Sequence, residues 1–379
     1  MAAPLPTRDD FFQVGARELL ARQLKRPPGK RVTAAAIFTT GTNVNSALAG
    51  AAAMSDEVMR HTAIRFNELF LDSSDDVALA RLVTDHIDAE LFQKQPARAV
   101  VPLVFNRAIP PSSGGVSSVG ADQIVRTTTG VEFRVVTPVT FAVGATSSIT
   151  VAGESMLAGS AGNVDAGTIV QFAQAPADPG ITVTNLEFAS GGGDLETSRD
   201  YLARAKLARK ANRRGTTEAI LLGALSVLGV KSAVVEEVLD GSGDPNGLIR
   251  VYIADANGRA NSVLVQMVRE GLVTYRACGV IPQVLGTLPT YVNIAYSAQI
   301  LPGYSATIAA DQLRSLTVAM VNLLSPGETL QRSMLIAIAR TVAGLVVTEG
   351  SVVTPATDLV PLPTQTLKTR TDLALVNGA

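Results

Sequence analysis

The chain is predicted to be an α+β multidomain protein, built from an N-terminal helical segment, a small antiparallel β sandwich or barrel, and two α+β lobes. Three observations support this. Apolar residues recur at helical spacing through the first hundred positions. Residues 98 to 188 break into short runs rich in Val, Ile, Thr and Phe, and from 194 onward helical stripes take turns with alternating strands. At 379 residues the chain exceeds one ordinary core, since single cores stop growing near roughly 250 to 300 residues. The expected division is a helical region at 1–96, a β-rich domain at 97–190, a central α+β domain at 191–288 and a C-terminal α+β domain at 289–379.

Residues 8 to 25 place Phe11, Phe12, Leu19, Leu20 and Leu24 near one face. A second helix at 55 to 70 carries Val58, Phe66, Leu69 and Phe70, and a third at 74 to 92 carries Val77, Leu82, Ile87 and Leu91. Ser73 or Ser74 caps the third, with Asp75 and Asp76 in its first turn, and Pro96 closes the region. The Ala-, Gly- and Thr-rich stretch 33–53 is assigned no element. The β-rich runs are RAVVPLVFN, QIVRTTTG, VEFRVVTPVTF, SSITVAG and GTIVQF, with PPSSGG at 110–115 as a loop.

Residues 194 to 286 read as helix, helix, strand, hairpin, strand, helix, strand. The first helix ends in a basic run from Arg204 to Arg214, where cations suit the negative end of the helix dipole, and Gly215 stops it. Thr216 caps the next helix, which carries Leu221, Leu222, Leu225 and Leu228 and ends at Gly229. Val230–Leu239 is a strand, GSGDPNG a turn, LIRVYIA a second strand, and Val263, Leu264, Met267, Val268 and Leu272 stripe the following helix. In the last ninety residues Val292, Ile294, Tyr296, Ala298 and Ile300 alternate as a half-buried strand. Leu313, Leu316, Met320 and Leu324 mark a helix, Leu335, Ile338 and Val342 another, and LVVTE a final strand. The helix, glycine, strand step of 217–239 is echoed at 333–349.

Composition excludes several function classes. Net charge is -1 from 32 basic and 33 acidic residues, so no long-range field draws nucleic acid or an anionic membrane. Only 17% of residues are charged and 47% are hydrophobic, which points to a surface covered by neighbours. Aromatics are 4% with no tryptophan, unlike a surface that stacks bases or sugars. The N-terminus MAAPLPTRDDFF lacks the apolar core of a secretory signal, and the longest apolar stretch, AILLGALSVLGV, is too short to span a bilayer.

Material for catalysis is sparse. His61 and His86 lie on predicted helices among carboxylates, without the spacing of a zinc site. Cys278 is expected to be a small buried or interface residue. No glycine-rich segment carries the lysine and hydroxyl of a phosphate loop, and GSAGN lacks the order of a nucleophile elbow. The carboxylates Asp194, Glu196, Asp200, Glu236 and Glu237 are better explained by caps and solvated faces than by a hydrolytic pair. No catalytic, cofactor or metal residues are assigned, and the chain is not expected to be an enzyme.

Two segments have the character of a scaffold. AGSAGNVDAGTI at 158–169 reads as a strand ending in glycines that permit left-handed backbone, with Gly162, Asn163 and Gly167 at the turn. GGGDLETSRDYLARA at 191–205 reads as a flexible hinge at Gly192 and Gly193, then Asp194 as a helix cap with Glu196 in the first turn. With these segments in this order, the chain resembles the baseplate J-like family, the wedge proteins of contractile phage tails and related injection machines. The likeness runs from SDDVALARLVTDHIDAELFQKQPARAVVPLVF at 74–105, through the β-rich runs, to GTTEAILLGALSVLGVKSAVV at 215–235 and the C-terminal lobe. Its specific parts are Gly162-Asn163 with Gly167, and Gly192-Gly193-Asp194 with Glu196 and Arg204.

The resemblance implies a structural protein of a virion tail baseplate, assembled in the cytoplasm of a bacterial host. Two copies in different conformations and one tail protein I-like partner form a wedge, and six wedges ring the hub and spike. A sheath-initiating, lysozyme-like baseplate protein docks above, and ring expansion releases sheath contraction. The N-terminal helices join an intersubunit bundle, which would bury Phe11, Phe12, Phe66, Leu69 and Phe70. Two other classes compete: a particle-associated glycan hydrolase and a receptor-binding tail appendage. The low aromatic content counts against both.

Overall fold

A computed structural model describes residues 6–23, 25, 33–67, 70–71, 76–88, 91–111, 117–176, 178–211, 215–371 and 374–378. The chain falls into two compact units, Met1–Phe92 and Gln93–Ala379. The fold class is α+β, with several separate sheets.

The first unit is helical: α1 (Arg8–Gln23), α2 (Ala34–Phe38), α3 (Asn43–Asn67) and α4 (Asp76–His86). The stretch 33–53, assigned no element above, is helical over most of its length. Alanine is the strongest helix former, and two threonines supply the starts. Thr33 Oγ1 accepts from the Ala36 amide at 3.3 Å, and Thr42 Oγ1 from the Asn45 amide at 3.2 Å. Asn45 then donates to the Ile37 carbonyl at 2.8 Å, tying α2 to α3. The helix expected at 55–70 therefore begins at Asn43, and the one expected at 74–92 covers Asp76–His86. Ser73, Ser74 and Asp75 lie outside the described residues. Buried side chains described in this unit are few: Ala16, Gln23, Ile37, Ala52, Leu79, Val83 and Leu91.

In the second unit, β1 (Arg98–Arg107), β3 (Ile124–Thr127), β4 (Glu132–Val135), β6 (Val151–Ala158), β7 (Ile169–Phe172) and β8 (Ile181–Asn185) form one antiparallel sheet in the order β7-β3-β4-β6-β1-β8. A small ribbon pairs β2 (Ser117–Val119) with β5 (Val139–Thr140). Alternating burial on β3, β4 and β8 points one face inward, onto Val101, Leu103, Phe105, Val125, Phe133 and Ile169. The end strands meet through Asn185, which is 1% exposed. Its carbonyl accepts from the Gly167 amide at 2.8 Å, its Oδ1 from the Ile169 amide at 2.9 Å, and its Nδ2 donates to the Asp165 and Glu187 carbonyls. One asparagine thus draws the sheet into a nearly closed barrel.

The central part follows as α5 (Ser198–Lys210), α6 (Thr217–Ser226), β9 (Ser232–Leu239), β10 (Pro245–Ala254), α7 (Ser262–Gly271) and β11 (Gln283–Gly286). β10 lies between antiparallel β9 and parallel β11, and Ile220, Val251, Ile253, Leu264 and Leu272 pack beneath. Thr216 caps α6 as expected, accepting from the Ala219 amide at 3.2 Å.

The C-terminal part holds β12 (Leu288–Tyr291), β13 (Ile294–Ile300), α8 (Ala306–Val321), α9 (Arg332–Thr341), β14 (Leu345–Val346), β15 (Val352–Thr354), β16 (Gln365–Lys368) and β17 (Ala374–Gly378). β13 pairs with β14 and β15 antiparallel and with β17 parallel, over a core containing Ile294, Tyr296 and Leu313. The strand expected over LVVTE stops at Val346. Thr348 instead caps a 3-10 turn at Glu349–Ser351, closing the extended run.

Candidate functional site

The segment 187–196, which leaves the barrel and enters α5, is where the named sequence features converge. Four consecutive amides are all hydrogen-bonded there. Ser190 N donates to the Val100 carbonyl at 3.0 Å and Gly191 N to Asp255 Oδ2 at 3.3 Å. Gly192 N donates to Asn163 Oδ1 at 2.8 Å and Gly193 N to the Ala97 carbonyl at 3.2 Å. Asn163 Nδ2 returns a bond to the Gly192 carbonyl at 2.8 Å. A Cβ on Gly192 would sit 2.5 Å from the Gly159 carbonyl oxygen, so only glycine fits this crossing. The stretch expected as a flexible hinge is, in this structure, a stitched seam. Asn163 acts through its side chain, since its backbone (φ -82, ψ 77) is not left-handed; Gly167 (φ 71) is the residue that turns.

Asp194 does not cap α5. That helix starts at Ser198 with Thr197 as its cap, which leaves Asp194 outside the first turn. Its carboxylate instead accepts from Ser160 N and Ser160 Oγ, each at 3.1 Å, holding the 3-10 turn Ser160–Gly162 from across the seam. Glu196 likewise precedes the helix. It takes a two-pronged ion pair from Arg204, Nε to Oε1 at 2.9 Å and a terminal nitrogen to Oε2 at 2.6 Å. Both side chains are buried. Arg204 is therefore a mid-helix anchor, and the cation-dipole argument applies only to Arg209 and Lys210 in the last turn. Arg213 and Arg214 lie outside the described residues.

Lys94, which carried no sequence signal, completes this knot. Its amide donates to Glu196 Oε2 at 2.9 Å, and its ammonium to the Val227 and Val230 carbonyls at 3.2 and 3.0 Å. Burial, followed by the nearby Arg204 cation, lowers its pKa to about 8, while Glu196 pulls the other way. A cleft of about 550 Å³ opens over these groups, with Leu195, Leu207, Leu225 and Leu228 among its walls. Its charged groups engage one another or the backbone, Lys231 with Asp200 at 2.6 Å included. Such an arrangement fastens elements together.

On the other side of the seam Asn261 caps α7, accepting from the Leu264 amide at 3.0 Å. Its Nδ2 also donates to the Val100 and Phe188 carbonyls. Arg259 bonds Asp165 at 2.6 Å and the Asn163 and Val164 carbonyls, and stacks 4.6 Å over Phe188. Asp255 accepts from the Gly191, Asn257 and Arg259 amides, and burial pushes its carboxyl up against their pull. Lys368, 7% exposed, donates to the Asn322 carbonyl at 2.7 Å, and burial lowers its pKa to about 8 against the attraction of Asp255. An N-cap at Asn261 was readable before SVLVQMV. The clamps of Arg259, Asp255 and Lys368 join residues up to a hundred positions apart and leave no local pattern.

The remaining sites are dispersed. Phe11 and Phe12 are half-buried, Phe12 meeting Phe38 edge-on at 6.3 Å, and Phe70 is exposed. The Phe66 side chain and Leu69 lie outside the described residues. Cys278, expected to be buried or at an interface, is exposed. His61 pairs with Glu57 at 3.2 Å on an open face, and His86 is exposed. Among the described residues no group of three or more His, Cys, Asp or Glu side chains is placed to hold a metal ion, and no helix is long and apolar enough to cross a membrane.

Comparison with known proteins bears on this geometry. Residues 106–192 match the model of the baseplate J-like protein barrel domain, from the end of β1 to the seam. The chain thus carries a baseplate J-like barrel, in agreement with the resemblance of its sequence to that family. It is also similar to a chain in the cryo-EM structure of the anti-feeding prophage baseplate, at 10% identity and a TM-score of 0.33, over 97% of this chain and 99% of that one. No curated protein matches it.

Two outcomes are expected from the knot. Arg204→Met strands a buried carboxylate and lowers stability by about 3–5 kcal/mol in urea denaturation. Combining it with Glu196→Gln, which keeps an acceptor for the Lys94 amide, recovers more than half of that loss. The pH dependence has a definite sign. Lys94 titrates near 8 when folded and at 10.5 when not, so above pH 8 the unfolded chain holds more protons and stability rises with pH. Between pH 7 and pH 9 the gain is about 1.4 kcal/mol for this lysine. Lys94→Met removes that share of the slope, and equal slopes in both proteins contradict the assignment.

Proposed function

We propose that the chain is a structural subunit of a contractile tail baseplate, and that it acts through surfaces shared with other chains and not by transforming a molecule. The barrel match over 106–192 carries this reading. In it, two copies and one tail protein I-like partner make a wedge, six wedges close around the hub and spike, and a sheath-initiating, lysozyme-like protein docks on the ring. Opening of the ring triggers sheath contraction and ejection. The place of action is the tail baseplate of a particle assembled in the bacterial cytoplasm.

The helical unit supports a role in a shared bundle. Its described core is small, while Val14 (60%), Met54 (73%) and Val58 (64%) are exposed beside half-buried Phe11. Met54 and Val58 are one helical turn apart on α3 and line a groove with Phe11, the form of a face that receives another amphipathic helix. The seam supports a rigid arm beyond it. Because the amides of Ser190–Gly193 are occupied, the barrel and the central lobe are read as one rigid piece in both copies of the wedge.

Co-expression with the chain encoded beside it, followed by native mass measurement, is expected to yield a complex of two copies with one partner. Isolation of this chain as a lone species that turns over a glycan contradicts the proposal.

A further inference from the structure

The chain contains three Asn-Gly pairs, at 246–247, 257–258 and 377–378. An asparagine followed by glycine is the pair best suited to ring closure between its carboxamide and the next backbone amide, because glycine has no Cβ to block the approach. The fold treats the three pairs differently. Gly258 is buried; its amide donates to the Asp255 carbonyl and its own carbonyl accepts from the Thr287 hydroxyl, both at 3.0 Å. A Cβ at that position would lie 2.6 Å from the Lys368 side chain, so this peptide is enclosed as well as bonded. Asn377 and Gly378 lie within β17, in register with Ser297 and Ala298 of β13.

Asn246 and Gly247 stand open. Pro245 faces Leu239 and Leu248 faces Val238, which are adjacent on β9, so the two residues between form a bulge with no partner opposite. Both are exposed, and Gly247 is left-handed at φ 78. Asn246 Oδ1 accepts from the Leu248 amide at 2.9 Å. That bond folds the carboxamide back across the Gly247 peptide, and it sets a donor on the oxygen that gains charge when Cγ is attacked.

We propose that Asn246 is a site of spontaneous deamidation, driven by its own backbone. Solvent base removes the Gly247 amide proton, and that nitrogen bonds to Asn246 Cγ. The Cγ–Nδ2 bond breaks, Nδ2 takes up a proton from water and leaves as ammonia, and a succinimide ring remains. Water then opens the ring at either carbonyl, which gives aspartate or, with the main chain rerouted through the side chain, isoaspartate. Either product adds a carboxylate to the stretch between Lys231 and Arg250, whose charged residues are Glu236, Glu237, Asp240 and Asp244. An acidic arm thus becomes more acidic with age, whatever the chain assembles with.

The test incubates the full chain in mildly alkaline buffer, folded and, in parallel, in concentrated guanidinium, and follows its tryptic peptides by mass. Cleavage after Lys231, Arg250 and Arg259 separates Asn246, in 232–250, from Asn257, in 251–259. In the folded chain 232–250 is expected to gain the mass of OH in place of NH2 at least about tenfold faster than 251–259, because the enclosed pair reacts only when the fold opens. In guanidinium the two rates are expected to converge. Asn246→Gln, whose longer side chain closes a less favoured ring, is expected to stop the gain in 232–250; isomerisation at Asp240-Gly241 in the same peptide changes no mass. Equal rates in the folded chain, a faster Asn257, a preference that survives unchanged in guanidinium, or a gain that persists in Asn246→Gln would each overturn the assignment.

Discussion

Four adjacent backbone amides, Ser190 to Gly193, must find acceptors at the place where the barrel ends and the central lobe begins. A buried amide left unpaired costs roughly 1–3 kcal/mol, so the seam exists only if every acceptor is present together. Those acceptors come from far apart in sequence: Ala97 and Val100 ahead of and within β1, Asn163 after β6, and Asp255 after β10. The crossing also needs Gly192 without a side chain, because the Gly159 carbonyl occupies that space. The barrel, residues 94–97 ahead of β1 and the central sheet are consequently positioned by one set of bonds.

Charge is used in the same way. The Glu196–Arg204 pair is buried and two-pronged, and Lys94 spans from the segment ahead of β1 to the carbonyls at the end of α6. Buried ion pairs contribute little net stability over apolar packing of the same size; their value lies in admitting one arrangement of the elements that carry them. Lys368 repeats the reach to a backbone carbonyl in the C-terminal part, bonding that of Asn322 where β12 and β16 run parallel. The proposed assembly role draws on this stiffness at the seam and on the apolar side chains that stand exposed among the described residues of the helical unit.

Much of the fold was legible because local chemistry decides it. Leu222 and its neighbours recur at helical spacing behind Thr216, and the inward residues of β3 and β4 alternate. The stretch 33–53 was not legible, since alanines carry no amphipathic stripe and the signal resides in two threonine caps. β8 was passed over as a strand because ITVTN pairs with the start of the barrel, and β16 and β17 are set by partners about 80 residues away. At the site, Asp194, Glu196 and Arg204 were singled out, but all three of their roles were misassigned. A carboxylate near a helix start reads as a cap, and only the fold reveals that Ser160 and Arg204 claim it first.

Amide hydrogen exchange of the intact chain measures the central claim most directly. If the seam is a fixed joint, the amides of Ser190, Gly191, Gly192 and Gly193 exchange only when the second unit unfolds, as slowly as the core strand residues Val101 and Leu103. Exchange of these four at the rate of the exposed 239–247 hairpin tip would show a hinge where a stitched seam is described.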